Sequence, residues 1–201
     1  MESGERTRYT AFEGDRLIAA GELVPVALGV KAVLDRGERG PVLIFDDATG
    51  AQVELDLRGT AEDVLRRLAR PAEAPPAPDA EAPRGPGRPR LGVVAREVTL
   101  LPRHWDWLGE QPGGASVALR KLVEEARRAN EGKDRARRAQ EAAYRFMSAM
   151  AGNAPGFEEA MRAFYRGDRA RFDALVEAWP PDVRDHARRL AAGAFPEAAP
   201  S

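Results

Sequence analysis

The residues able to do chemistry in this 201-residue chain are few in kind. Cysteine is absent and histidine occurs twice, as His104 and His186. Disulfides, thiol nucleophiles, iron–sulfur clusters and thiolate zinc sites are therefore excluded, and little remains for a histidine metal centre. Carboxylates and guanidiniums are what is left. Asp46, Asp47, Glu54 and Asp56 fall across a hairpin-like stretch, and such carboxylates can hold a hard cation. Their context reads instead as an Asp-Ala-Thr-Gly turn and the solvated face of a strand. Gly114-Ala-Ser-Val-Ala118 lacks the second glycine of a nucleophile elbow. Gly85–Arg90 fails the dinucleotide fingerprint and follows no strand. His104, beside Trp105 and Trp107, can stack on a base but reads as a polar neighbour at a helix start. His186, in Asp182-Val-Arg-Asp-His186, reads as part of a solvated helix face. No nucleophile–base pair is evident, so neither an enzyme nor a cofactor is expected.

The guanidiniums point elsewhere. Arg84, Arg88, Arg90, Arg96 and Arg103 crowd one short stretch, and each phosphate such groups neutralise adds salt-dependent affinity for nucleic acid. The net charge of −1 conceals a division along the chain. Residues 1–83 hold 10 basic and 16 acidic side chains, residues 84–145 hold 14 and 8, and residues 146–201 hold 7 and 8. A basic middle suggests polyanion contact, although a chain pairing its own halves would look the same.

The elements that must position these groups follow from patterning. Arg8–Phe12 and Arg16–Ala20 flank Glu13-Gly14-Asp15 as a hairpin, and a helix follows with Val26, Val30, Val33 and Leu34 on one stripe. Pro41–Phe45 reads as a buried strand. Val53, Leu55 and Leu57 alternate with acids as a half-buried one, and Thr60 N-caps a helix carrying Val64, Leu65 and Leu68. Residues 71–91 are a Pro/Gly-rich basic stretch of linker composition. Val93–Leu101 is a strand candidate ending at Pro102, which opens a helix with Trp105 and Leu108. Ser116 is the expected N-cap of a second helix bearing Leu119, Leu122, Val123 and Ala126. From 134 to 195 the pattern is helical throughout, with a break at Gly152–Pro155, a cap at Asp168 and a last helix opening at Pro181.

Arg96–Ala126 resembles the ribbon-helix-helix family of bacterial DNA-binding proteins, through Leu101-Pro102, the Trp105/Leu108 helix, the glycine turn and Ser116-Val-Ala-Leu-Arg-Lys-Leu-Val. That resemblance implies an obligate dimer whose paired strands enter the major groove, with the backbone near Ser116 and Val117 offered to a phosphate. Strand register stays open: the outward set is Arg96, Val98 and Leu100, or Glu97 and Thr99. Neither is rich in polar readers. Pro86-Gly-Arg-Pro-Arg90 resembles an AT-hook, with Pro86 where that motif has an arginine. FDDATG (45–50), LPRHWDWL (101–108), AAYRFMSAMAG (142–152) and the Trp179-to-His186 arrangement resemble a bacterial family catalogued as a domain of unknown function, which implies no activity.

The expectation is an α+β protein: an N-terminal ββαββα domain (1–70), a basic linker (71–91), a ribbon-helix-helix-like module (92–130) and a C-terminal helical region (131–201). Its expected function is that of a homodimeric, cytoplasmic DNA-binding protein of regulator or nucleoid-associated type. The contacts fall to Arg84, Arg88, Arg90, Arg96, Thr99, Arg103, Ser116 and Val117, and residues 1–70 serve an unknown ligand or partner. The alternative is a dimerising protein-interaction module without nucleic acid. MESGERTR shows no apolar signal region, and no apolar run reaches the roughly 18 residues of a membrane helix.

Overall fold

A computed structural model describes residues 7–37, 39–69, 94 and 96–195. Among these the chain is mixed α+β and mostly helical, with one three-stranded antiparallel sheet and seven α-helices. It divides into two units, residues 1–70 with 132–201, and residues 71–131.

In the first unit, β1 (Tyr9–Glu13) lies at the centre of the sheet, between β2 (Arg16–Gly21) and β3 (Val42–Asp46). Its alternation serves two cores at once. Ala11, paired with Ile44, faces α1 (Leu23–Asp35) in a cluster with Val26 and Val30. Phe12 and Phe45, on the opposite face, join Phe146, Phe164, Phe172, Trp179 and Val183 from the helical segment. A strand covered on both faces needs no polar side, which is why residues 10–13 are all buried. The sheet and the C-terminal helices thus share one core. Those helices are the end of α4 (Gly114–Ala151), α5 (Phe157–Tyr165), α6 (Arg169–Leu175) and α7 (Pro181–Ala191). Each is too short to persist alone except α4, so packing on this core stabilises them. Asp168 caps α6 by accepting the Arg171 N–H at 3.0 Å.

The expected fourth strand is not formed. Phe45 and Gln52 make one isolated bridge and Val53 N–H reaches Ile44 O at 2.8 Å, after which the ladder stops. Competing donors explain it: Arg67 Nε takes the Asp56 carbonyl at 3.0 Å, and Asp56 Oδ1 accepts Arg58 N–H at 3.2 Å. Val53, Leu55 and Leu57 still pack on the α1 cluster, so alternation survives without the strand. Beyond it, Thr60 and Asp63 form a reciprocal capping box on α2 (Ala61–Ala69), with Asp63 N–H to Thr60 Oγ1 at 3.2 Å and Thr60 N–H to Asp63 Oδ2 at 3.0 Å. The order is therefore ββαβα rather than ββαββα.

The second unit holds α3 (Pro102–Glu110) and the first part of α4. Pro102 stands in the first turn of α3, where its missing N–H costs nothing. The strand expected over Val93–Leu101 is not formed among its described residues, whose backbone pairs with no other strand of the described chain. The second helix also departs from expectation. It starts at Gly114, two residues before Ser116, and runs unbroken to Ala151. Among the described residues, no helix is long and apolar enough to cross a membrane.

Candidate nucleic-acid interface and a buried polar knot

Three of the eight residues expected at DNA, Arg84, Arg88 and Arg90, lie outside the described residues. The other five belong to the second unit. Arg96 and Thr99 are exposed in the segment leading to α3, and Arg103 is exposed in the first turn of that helix. Leu101 precedes α3 as its N-cap residue, its carbonyl accepting His104 N–H at 2.8 Å. The turn between the helices needs glycine. Gly113 and Gly114 have φ of 87° and 74°, and a Cβ on Gly113 would sit 3.2 Å from Val117. Ser116 caps nothing. It lies inside the first turn of α4, where Arg120 folds back onto it, Nε to the Ser116 carbonyl at 3.1 Å and Nη2 to its Oγ at 3.4 Å.

Charge in this unit is unevenly spent. Arg127 and Arg128 pair with Glu124 at 3.0 and 3.6 Å. Among the described residues Arg96, Arg103 and Lys121 make no ion pair, and so remain available to an anion. Residues 120–133 of α4 are exposed on every side, and pairs three and four residues apart are what support a helix in that state. Apolar exposure is concentrated here too. Val98, Leu101, Trp105, Trp107, Leu122 and Val123 are all exposed, whereas Leu108 and Ala118 are buried.

A second polar constellation sits inside the first unit. His186, which its charged neighbours suggest is a surface residue, is 3% exposed. Its ring lies between Phe12 and Phe146, with centroid distances of 5.6 and 4.4 Å. Arg189 donates to its Nδ1 and, at 3.2 Å, to the hydroxyl of buried Thr10. That contact places the imidazole hydrogen on Nε2, which faces Asp47 Oδ1 at 3.6 Å; Arg189 Nη2 lies 3.6 Å from Oδ2 of the same carboxylate. Burial first, and then the Arg189 charge, push the His186 pKa down to about 3, so the ring is neutral. Burial raises the Asp47 carboxyl, against the lowering effects of Thr10 and Arg189.

Three motifs behind the unknown-function resemblance meet around this knot. Asp47, Thr49 and Gly50 come from the first, Arg145 and Phe146 from the helical one, His186 from the last. Arg145 Nη1 donates to Thr49 O at 3.1 Å, and a Cβ on Gly50 would stand 2.0 Å from Ala142 O. The signal for the buried histidine is present in the stripe Val183, His186, Ala187 and Leu190, which the flanking charges mask. The other aspartates are spent locally. Asp46 Oδ1 caps its own turn at Ala48 N–H, 2.8 Å away, and Asp56 pairs with Arg58. Among the described residues no His/Cys/Asp/Glu group is arranged to hold a metal ion.

A family model described as an uncharacterized protein conserved in bacteria (DUF2239) matches residues 8–191. No curated protein and no solved structure matches the chain.

Proposed function

The chain belongs to the bacterial family DUF2239, and we propose that it acts as a homodimeric DNA-binding protein of regulator or nucleoid-associated type, working through residues 96–130. One observation carries this reading. The segment entering α3 has no ladder partner among the described residues, and the helices behind it leave Trp105, Trp107, Leu122 and Val123 exposed. Large apolar side chains left exposed within one short stretch of chain support a partner-binding reading of it. The same segment of a second copy supplies the missing backbone partners in antiparallel pairing and covers those side chains. Pairing brings onto one assembly two copies of Arg96 and Arg103, which make no ion pair among the described residues, and two copies of the first-turn amides of α4 near Ser116 and Val117. Arg84, Arg88 and Arg90 precede them in the chain and extend the cationic stretch.

Fluorescence anisotropy on A·T-rich and G·C-rich duplexes at two salt concentrations, with native mass measurement, tests both halves. A dimer is expected, with DNA affinity falling steeply as salt rises. Arg88→Ala/Arg90→Ala/Arg96→Ala should lower the salt slope by about one for each phosphate that is no longer neutralised; an unchanged slope refutes the DNA contact. A second reading, dimerisation without nucleic acid, is favoured by Val98 and Leu100 in the pairing segment, which offer bases no polar reader. A dimer that retains no duplex at low salt selects it.

A further inference from the structure

A polar cleft of about 870 Å³ opens between the β1–β2 turn and the loop joining α1 to β3. Hydrogen bonds from backbone amides tie its walls together. Gly14 N–H donates to Pro41 O at 2.8 Å, and Arg39 N–H donates to Glu13 Oε1 at 2.8 Å. The loops approach so closely that a Cβ on Gly40 would lie 3.3 Å from Gly14 N. Glu13 is the pivot: its side chain is 7% exposed and also accepts from the Arg16 guanidinium. The Arg39 amide first, and then Arg16, hold its carboxyl below the usual range. It stays ionised, and so aims Arg16 along the cleft wall. Arg36 and Arg39 complete the cationic lining, and neither side chain makes an ion pair among the described residues.

Guanidinium forks bind phosphate oxygens in pairs, and more strongly when their orientation is fixed in advance. The cleft has the volume of a small-molecule site. Among the described residues lining it, Val33 is the one large apolar side chain, which disfavours an apolar ligand. Asp15, also lining it, offers an acceptor for a hydroxyl or amine. We propose that this cleft binds a phosphate-bearing small molecule of nucleotide or sugar-phosphate size, with Arg16, Arg36 and Arg39 holding its oxyanion. The proposal does not depend on DNA binding by residues 96–130.

Calorimetric titration of the full chain with pyrophosphate and with ADP tests it. Saturable one-to-one binding is expected, weakened at least about tenfold by Arg36→Gln/Arg39→Gln. The charge-matched pair Arg162→Gln/Arg169→Gln, on α5 and α6, should leave it unchanged. Thermal melting of both variants checks that the fold is intact. Binding of neither probe overturns the proposal, as does equal weakening by both pairs. Duplex anisotropy separates the phosphate sources: Arg36→Gln/Arg39→Gln should leave DNA affinity as it was. Should it lose DNA affinity while wild type binds neither probe, these arginines serve a nucleic-acid surface and the small-molecule site falls.

Discussion

The two units answer one problem, how to bury apolar surface, with opposite degrees of completion. In the first, both faces of a three-stranded sheet are covered, and even a histidine, an arginine contact and a carboxylate are drawn into the core. Among the described residues of the second, Leu108 and Ala118 are the buried apolar ones, while several larger ones lie open. A core that small cannot outweigh the conformational entropy of ordering its chain. Among the described residues the first unit therefore holds most of the buried apolar surface, whereas the second leaves large apolar side chains in water.

The contrast breaks first, and hardest, at the packing around Phe146. That ring is fully buried, 5.0 Å from Phe45 and 5.5 Å from Phe12 by centroids. Phe146→Ala should cost about 4 kcal/mol, the transfer term and the cavity acting together. Gly50→Ala belongs to the same class, because φ of 65° and the Ala142 carbonyl leave no room for a methyl group. Urea denaturation followed by circular dichroism measures both. A midpoint near wild type for either would show that this core is looser than its contacts.

These positions also show what is readable in sequence. The hairpin, α1, β3 and the caps at Thr60 and Asp168 are legible, since each is written in local turn chemistry and periodicity. Non-local competition is not. Arg67, eleven residues beyond Asp56, removes the carbonyl a fourth strand would have used. The helix through Ser116 runs past every polar break, since exposed ion pairs sustain it where an apolar stripe does not. Both candidate clusters in the first unit depend on chain segments far apart: His186 meets Asp47, and Arg39 meets Glu13, through the sheet that joins them. No spacing rule reports such meetings.

Acid should produce the next largest effect, and should act on the first unit. An unfolded imidazole titrates near 6.5 and the His186 ring near 3, so between those values the unfolded chain binds a proton that the native chain does not. Stability is complete above about pH 6.5 and falls as pH drops toward 3. From pH 7 to pH 5 the loss should be roughly 2 kcal/mol. Asp47 works in the opposite direction near the lower end, since its raised carboxyl lets the native state hold a proton first. Urea midpoints of wild type and His186→Gln at the two pH values isolate the histidine contribution. Parallel shifts in both proteins would mean that His186 does not carry the dependence.

The smallest change in stability should come from the second unit, and it is the sharpest test of the comparison. Trp107 is half exposed and Val123 more so, so cutting either side chain removes little buried area from a single chain. Trp107→Ala and Val123→Ser should shift the urea midpoint of the first unit by no more than about 0.5 kcal/mol. If these side chains cover one another in a dimer, the same substitutions move the monomer–dimer midpoint to higher protein concentration in sedimentation equilibrium. A large loss of stability in a variant that stays monomeric would place both residues in a core of the chain's own. No loss in either readout would leave both side chains as ordinary surface and rule out pairing through them. Stability that holds while association weakens is the outcome the proposed pairing requires, since a surface built for a partner is costly to alter there and almost free within the chain.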